Sequence, residues 1–179
     1  SNFNFKKKSA PLIAIPTTAG SGAEVTPFAV MYIGKLKYSV EHKLVKPDYF
    51  FVIPELVLSG GKKLKASTGF DAIAQALESM ISIKSNEKSI KFSEKSLRLS
   101  IPNYINFIKN PTKENSYKMS LAANLSGQAI SIAKTNAPHA VSYPFSVLYG
   151  IDHGHAVSLT INKFMAMSYL NFSKSITTF

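Results

Sequence analysis

The chain has 179 residues, a formal net charge of +11, 45% hydrophobic residues and no cysteine. That length can bury a sizeable core, the composition excludes disordered and fibrous classes, and the lack of cysteine excludes disulfides and thiolate metal ligands. Apart from Lys6 to Lys8 and the group Lys62, Lys63 and Lys65, the lysines are spread singly among acidic and polar residues, which fits a solvated basic surface and not a nucleic-acid footprint.

No apolar run is long enough to span a bilayer. The basic start lacks the apolar segment that follows in a secretory signal, so a cytoplasmic protein is expected. In chain order, Pro11 to Ile15 reads as a short strand stopped at Pro16, and Thr17 to Gly22 as a tight loop of small residues. The runs Phe28 to Tyr32 and Leu36 to Val40 flank Ile33-Gly34-Lys35 and predict a β-hairpin. Asp48 to Ile53 reads as a further strand, closed by Pro54.

From Leu64 the apolar residues recur every three or four positions. Ile73, Leu77, Met80 and Ile81 make one stripe of a helix starting near Thr68. Phe92, Leu97, Ile101, Ile105 and Ile108 predict a second helix, interrupted or kinked near Pro102, with another beginning at Pro111-Thr112. Tyr117 to Ala133 and Ala156 to Leu170 read as helices, and Pro138 and Pro144 as breaks in the segment between them. The expected division falls at Ser59-Gly60-Gly61, with a β-rich part over 1–58 and a helical part over 59–179. A sheet built from these strands alone would leave open edges, so the chain is expected to be the later part of something longer.

Asp71 and Gln75 are four apart and share a helix face, with Glu78 roughly on the same side. His139 and His153 lie fourteen positions apart among small and apolar residues. A solvated helix face and core histidines bonded to backbone remain open on spacing alone, beside a two-histidine, one-carboxylate set for Fe²⁺ or Zn²⁺. The loop Thr17 to Gly22 suits a plain turn as well as a phosphate cradle, since Val25 stands where a third glycine would complete the fingerprint.

The string Ile15-Pro-Thr-Thr-Ala-Gly-Ser-Gly-Ala-Glu-Val-Thr26 resembles a hallmark of the iron-containing alcohol dehydrogenases. Three further stretches, Thr68 to Ser79, Ala137 to Phe145 and Asp152-His-Gly-His-Ala156, are similar to that family's metal-site motifs and stand at its separations. The resemblance implies the rear of a nucleotide-binding α/β domain followed by a helical metal-binding domain of the dehydroquinate-synthase type, together an incomplete α/β plus all-α fold.

It also implies metal ligands at Asp71, His139 and His153, with Gln75, whose amide oxygen is a neutral and weaker ligand, where most members carry a fourth, histidine ligand. Thr17, Thr18, Ser21 and Lys37 match positions lining NAD(H) or NADP(H), and a metal-site water, Tyr143 or His155 would supply the proton. The metal would be Fe²⁺, with Zn²⁺ as the alternative, the substrate a small aldehyde or alcohol, and the intact enzyme a homodimer. Gln75, Thr26-Pro-Phe-Ala-Val30 and Lys37-Tyr-Ser-Val40 look most like the phosphonoacetaldehyde reductase branch, whose aldehyde carries a phosphonate. The family's glycine-rich pyrophosphate loop does not precede Thr17, so the isolated chain is expected to be inactive. A non-catalytic binding module that kept this fold is the alternative reading.

Overall fold

The computed structural model describes residues 6–34 and 36–176, with side chains as far as Tyr169. All its strands precede Phe51 and all its long helices follow Gly61. β1 (Ile13–Ala14) pairs in parallel with β4 (Tyr49–Phe50), while β2 (Phe28–Ile33) and β3 (Leu36–Glu41) form an antiparallel hairpin in the register Phe28 opposite Glu41 to Ile33 opposite Leu36. The hairpin is the one predicted, with Gly34 at φ 60° in its turn and Lys35 outside the described residues. β1 and β4 are shorter than the strands expected over 11–15 and 48–53, since only two rungs of backbone pair between them.

Six helices follow: α1 (Pro54–Leu58), α2 (Lys62–Ile81), α3 (Glu87–Lys109), α4 (Lys113–Ala133), α5 (Ala137–Tyr149) and α6 (His153–Ile176). Pro54, expected only to end a strand, opens α1, where its fixed φ suits the first turn. Lys65 in turn caps α1, its Nζ donating to the carbonyls of Leu58 and Gly60, which explains how α2 can start six residues ahead of Thr68 with a buried lysine. Capping boxes start α3 at Asn86 with Ser89 and α4 at Thr112 with Asn115.

The prolines expected to interrupt helices do not do so. Pro102 lies inside α3, where the Asn103 side chain donates to the Leu99 carbonyl at 2.8 Å beside the missing backbone link. Pro138 falls in the first turn of α5, where a backbone N–H has no intrahelical partner to lose, and Pro144 lies inside the same helix. The buried side of α3 also differs from the predicted stripe. Ser89, Ser93, Ser96 and Ser100 are fully buried, whereas Ile101 and Ile105 are 60% and 54% exposed. Small side chains let α3 approach α2 and α4 closely, and those helices answer with Ala72, Ala76, Ala122 and Ala129.

α2 is the hub, packed on α3, α4 and α6. One core cluster gathers Ala19, Val57, Phe107 and Met119, and a second joins Ala74 to Val157 and Ile161 of α6. Full burial of Phe107 contributes about 1.5–3 kcal/mol. Two glycine contacts fix what surrounds the hub. Gly22, at φ 60°, meets α4 so closely that a Cβ on it would lie 2.6 Å from the Gly127 Cα. A Cβ on Gly154 would lie 1.9 Å from the Ser67 carbonyl oxygen, so only glycine lets the start of α6 rest on α2.

Candidate metal centre

One face of α2 carries Asp71, Gln75 and Glu78, all more than nine-tenths buried. Each is satisfied by partners from other elements, as burial of polar groups requires. His139 enters from the first turn of α5, and His153 is the first residue of α6. His139 Nε2 lies 3.1 Å from Asp71 Oδ1, and His153 Nε2 lies 3.8 Å from the same oxygen. The two imidazole centroids are 5.3 Å apart at 70°, and one donor atom from each of the three residues falls within 4.8 Å of the others. An ion with bonds of about 2 Å spans donor separations of roughly 3–4 Å, a range that holds both histidine contacts to Asp71 Oδ1.

Support for His139 comes from Glu78. A carboxylate only accepts, so the 2.5 Å contact with Glu78 Oε1 keeps a proton on His139 Nδ1, while Nε2 shares its proton with Asp71 Oδ1 in the charged ring and is the nitrogen left to a cation when that proton leaves. Glu78 Oε2 also accepts the backbone N–H of Asn136, the N-cap of α5, at 2.6 Å, and the Glu78 carbonyl accepts the Asn136 side-chain amide at 2.7 Å. One residue therefore holds both the imidazole and the helix end that delivers it. Burial lowers the His139 pKa, but the hydrogen bonds and charges of Asp71 and Glu78 outweigh it and raise the value to about 9. Burial holds His153 below the usual histidine range, with the His139 and Lys37 charges acting in the same direction.

Gln75 lies 3.2 Å from Asp71 Oδ2 and 3.4 Å from the Ser21 carbonyl through Nε2, while its Oε1 accepts from Ser126 Oγ at 3.1 Å. Tyr143 stacks on His153, with centroids 5.9 Å apart and planes 8° from parallel, and Lys37 Nζ sits 2.8 Å from the Tyr143 ring centroid. Burial lowers the Lys37 pKa to about 8 and raises that of Tyr143, so the phenol stays protonated through neutral pH.

Asp71, Gln75, His139 and His153 line the floor of a cavity of about 750 Å³, whose walls include Phe28, Tyr32 and Glu41 of the hairpin. Ser21 and Tyr143 line it as well. Thr17 is exposed, Thr18 is half-buried, and neither is part of the lining. His155 is exposed and lies outside the cavity, so the structure does not bring it to the triad.

Sequence reasoning placed Glu78 on the polar face without a role, although its position seven residues after Asp71, with alanines between, was a usable signal. It missed Lys134 entirely. This non-glycine residue ends α4 at φ 66°, lines the cavity, pairs with Glu41 and places its Nζ 4.5 Å from the Phe28 ring centroid.

Two family models match the chain, the iron-containing alcohol dehydrogenase model over residues 2–54 and the C-terminal model of the same family over 65–178. The chain is 33% identical over 162 residues to a phosphonoacetaldehyde reductase of Streptomyces viridochromogenes, covering 88% of this chain and 41% of that protein. It is 31% identical to long-chain-alcohol dehydrogenase 1 of Geobacillus thermodenitrificans, covering 84% of this chain and 38% of that one.

Among solved structures, sulfoacetaldehyde reductase from Bifidobacterium kashiwanohense in complex with NAD+ superposes with a TM-score of 0.86 at 33% identity, over 89% of this chain and 43% of that one. An iron-containing alcohol dehydrogenase from Thermotoga maritima gives 0.81 at 33% identity, over 87% and 43% of the two chains. The chain thus spans about two-fifths of the length of these relatives. With matches at both ends and a fold shared with solved members, the chain belongs to the iron-containing alcohol dehydrogenase family.

Proposed function

We propose that this chain forms the metal- and substrate-binding part of a nicotinamide-dependent aldehyde reductase or alcohol dehydrogenase. The observation that carries the reading is the convergence of Asp71, His139 and His153 on the floor of the cavity. Their oxygen and imidazole donors suit Fe²⁺ or Zn²⁺. A divalent ion bound there supplies Lewis acidity toward a carbonyl oxygen. Glu78 holds His139 in the tautomer that turns Nε2 to the cation side, and Tyr143, protonated and stacked on His153, is placed to pass a proton into the cavity.

The NAD+ complex of the sulfoacetaldehyde reductase relative supports NAD(H), or NADP(H), as the hydride partner, with Thr17, Thr18, Ser21 and Lys37 lining it. The related reductases named for phosphonoacetaldehyde and sulfoacetaldehyde support a small aldehyde bearing a phosphonate or similar acidic group. On this reading residues 1–58 serve the cofactor and 59–179 the metal, within a homodimer.

The test is metal binding by the 179-residue chain, read by calorimetry with Zn²⁺. One equivalent bound by the wild type and lost in Asp71→Ala and His139→Ala is expected. Binding that survives both changes would overturn the reading. Reduction of phosphonoacetaldehyde by NADH, in the protein containing this chain together with its nucleotide-binding portion, tests the substrate class.

A further inference from the structure

We propose that Gln75 is a positioning donor for Asp71 and not a metal ligand, so that the site presents three protein ligands and leaves its remaining positions open. This rests on the metal-centre reading above. The side chain is buried and its amide has two distinct ends. At the Nε2 end stand Asp71 Oδ2 and the Ser21 carbonyl, neither of which can donate. At the Oε1 end stands the Ser126 hydroxyl, whose one proton is shared between Gln75 Oε1 at 3.1 Å and the Ala123 carbonyl at 2.9 Å, so the end is set by the two acceptors at Nε2. Turning the amide over would aim its carbonyl oxygen at a carboxylate and a carbonyl, leaving buried acceptors facing one another.

The constraint does not come from Asp71 alone. Ser21 precedes Gly22, which is locked against Gly127 of α4, so its carbonyl stays beside Gln75 even when a cation takes up the charge of Asp71. The two oxygens of Asp71 are thereby sorted. Oδ2 accepts from Gln75, one helical turn away, and Oδ1 alone faces His139 and His153. A carboxylate held in this way binds through one oxygen, and a set of three protein ligands leaves positions for substrate oxygen and water, as catalytic sites do. The glutamine thus does a different task from an imidazole at the same place, which would add a ligand and fill one of those positions.

The experiment uses Co²⁺ as a spectroscopic probe and the 179-residue chain. Gln75→Ala is expected to keep the d–d absorption of the wild type, because no ligand is lost, while weakening Co²⁺ binding roughly tenfold, the low end for residues that orient ligands. Gln75→His is expected to shift the absorption and tighten binding. A measurement on the wild type needs no variant to fold. In the Zn²⁺-loaded chain labelled at glutamine with ¹³C and ¹⁵N, the Gln75 Cδ signal should stay in place and its amide protons should remain hydrogen-bonded.

A Cδ signal that moves on Zn²⁺ binding overturns the proposal. So does a changed Co²⁺ spectrum in Gln75→Ala, an affinity loss matching that of Asp71→Ala, or no loss at all. If the wild type fails to bind Co²⁺, or binds it equally well after His139→Ala, the metal centre itself is wrong. With wild-type binding intact and dependent on His139, the outcome bears on Gln75 alone.

Discussion

The α2 face and the β1–β4 pair make opposite uses of their residues. On α2, polar groups are buried and bonded to other elements: Asp71 and Glu78 both to His139 of α5, Glu78 also to its N-cap Asn136, and Gln75 to the Ser21 loop and to α4. In the β1–β4 region apolar groups are exposed, with Ile13, Ile15, Tyr49, Phe50 and Phe51 all more than 40% accessible. The candidate metal site is therefore held from within by its own hydrogen-bond partners, whereas the strands beside the Thr17–Gly22 loop take little support from the described residues. Substitutions should discriminate between the two regions sharply.

The largest stability effect should come from the packed side. Phe107→Ala empties a fully buried site where α3 meets α4, and denaturant unfolding should show a loss of about 3–5 kcal/mol. For metal affinity, Asp71→Ala should cost more than about 100-fold, since it removes the negative ligand, whereas Glu78→Ala should cost about 10- to 100-fold by freeing the His139 ring. Equal losses from these two changes in a Zn²⁺ titration would mean that Glu78 does more than orient.

A smaller effect depends on pH. The folded His139 pKa of about 9 lies above its reference value of 6.5, so its stabilisation is complete below pH 6.5 and is lost as pH rises through 9. In chelator-treated protein, the Tm advantage of wild type over His139→Gln should shrink by several degrees across that window. An advantage that grows with pH would contradict the arrangement of carboxylates around the ring. Smallest of all, Phe50→Ser should change the stability of this chain by no more than about 0.5 kcal/mol. A loss like that of Phe107→Ala would show that the strand pair is buried in solution, and the contrast between the regions would collapse.

Local chemistry made some features legible in the sequence and hid others. The hairpin was readable because Gly34 sits between two strand-forming runs, and the α2 face because Asp71, Gln75 and Glu78 recur at helical spacing. The serine-lined side of α3 was not, because hydropathy points to Ile101 and Ile105, while close helix packing selects for small volume. Pro138 and Pro144 looked like breaks because a proline's position within a helix is unknown until the cap is located. The juxtaposition of His139 and His153 depends on the turn between α5 and α6 and on Gly154 lying against Ser67, which no local pattern expresses. There the family resemblance carried the inference. It gave no signal that His155 would be exposed and absent from the cavity lining.

Lys134, at φ 66° and ψ 175°, holds a backbone conformation that disfavours every residue with a Cβ, by about 1–3 kcal/mol. Lys134→Gly would relax that turn, yet it would also cut the mooring to Glu41 and Phe28 that spans the cavity between α4 and the hairpin. The two consequences fall on different properties of the molecule, one on how readily the chain folds and the other on how firmly two walls of the cavity are held together. Selection for thermal robustness alone would drift toward glycine at this position and loosen that wall, so a more stable descendant of this protein need not hold its cavity as firmly.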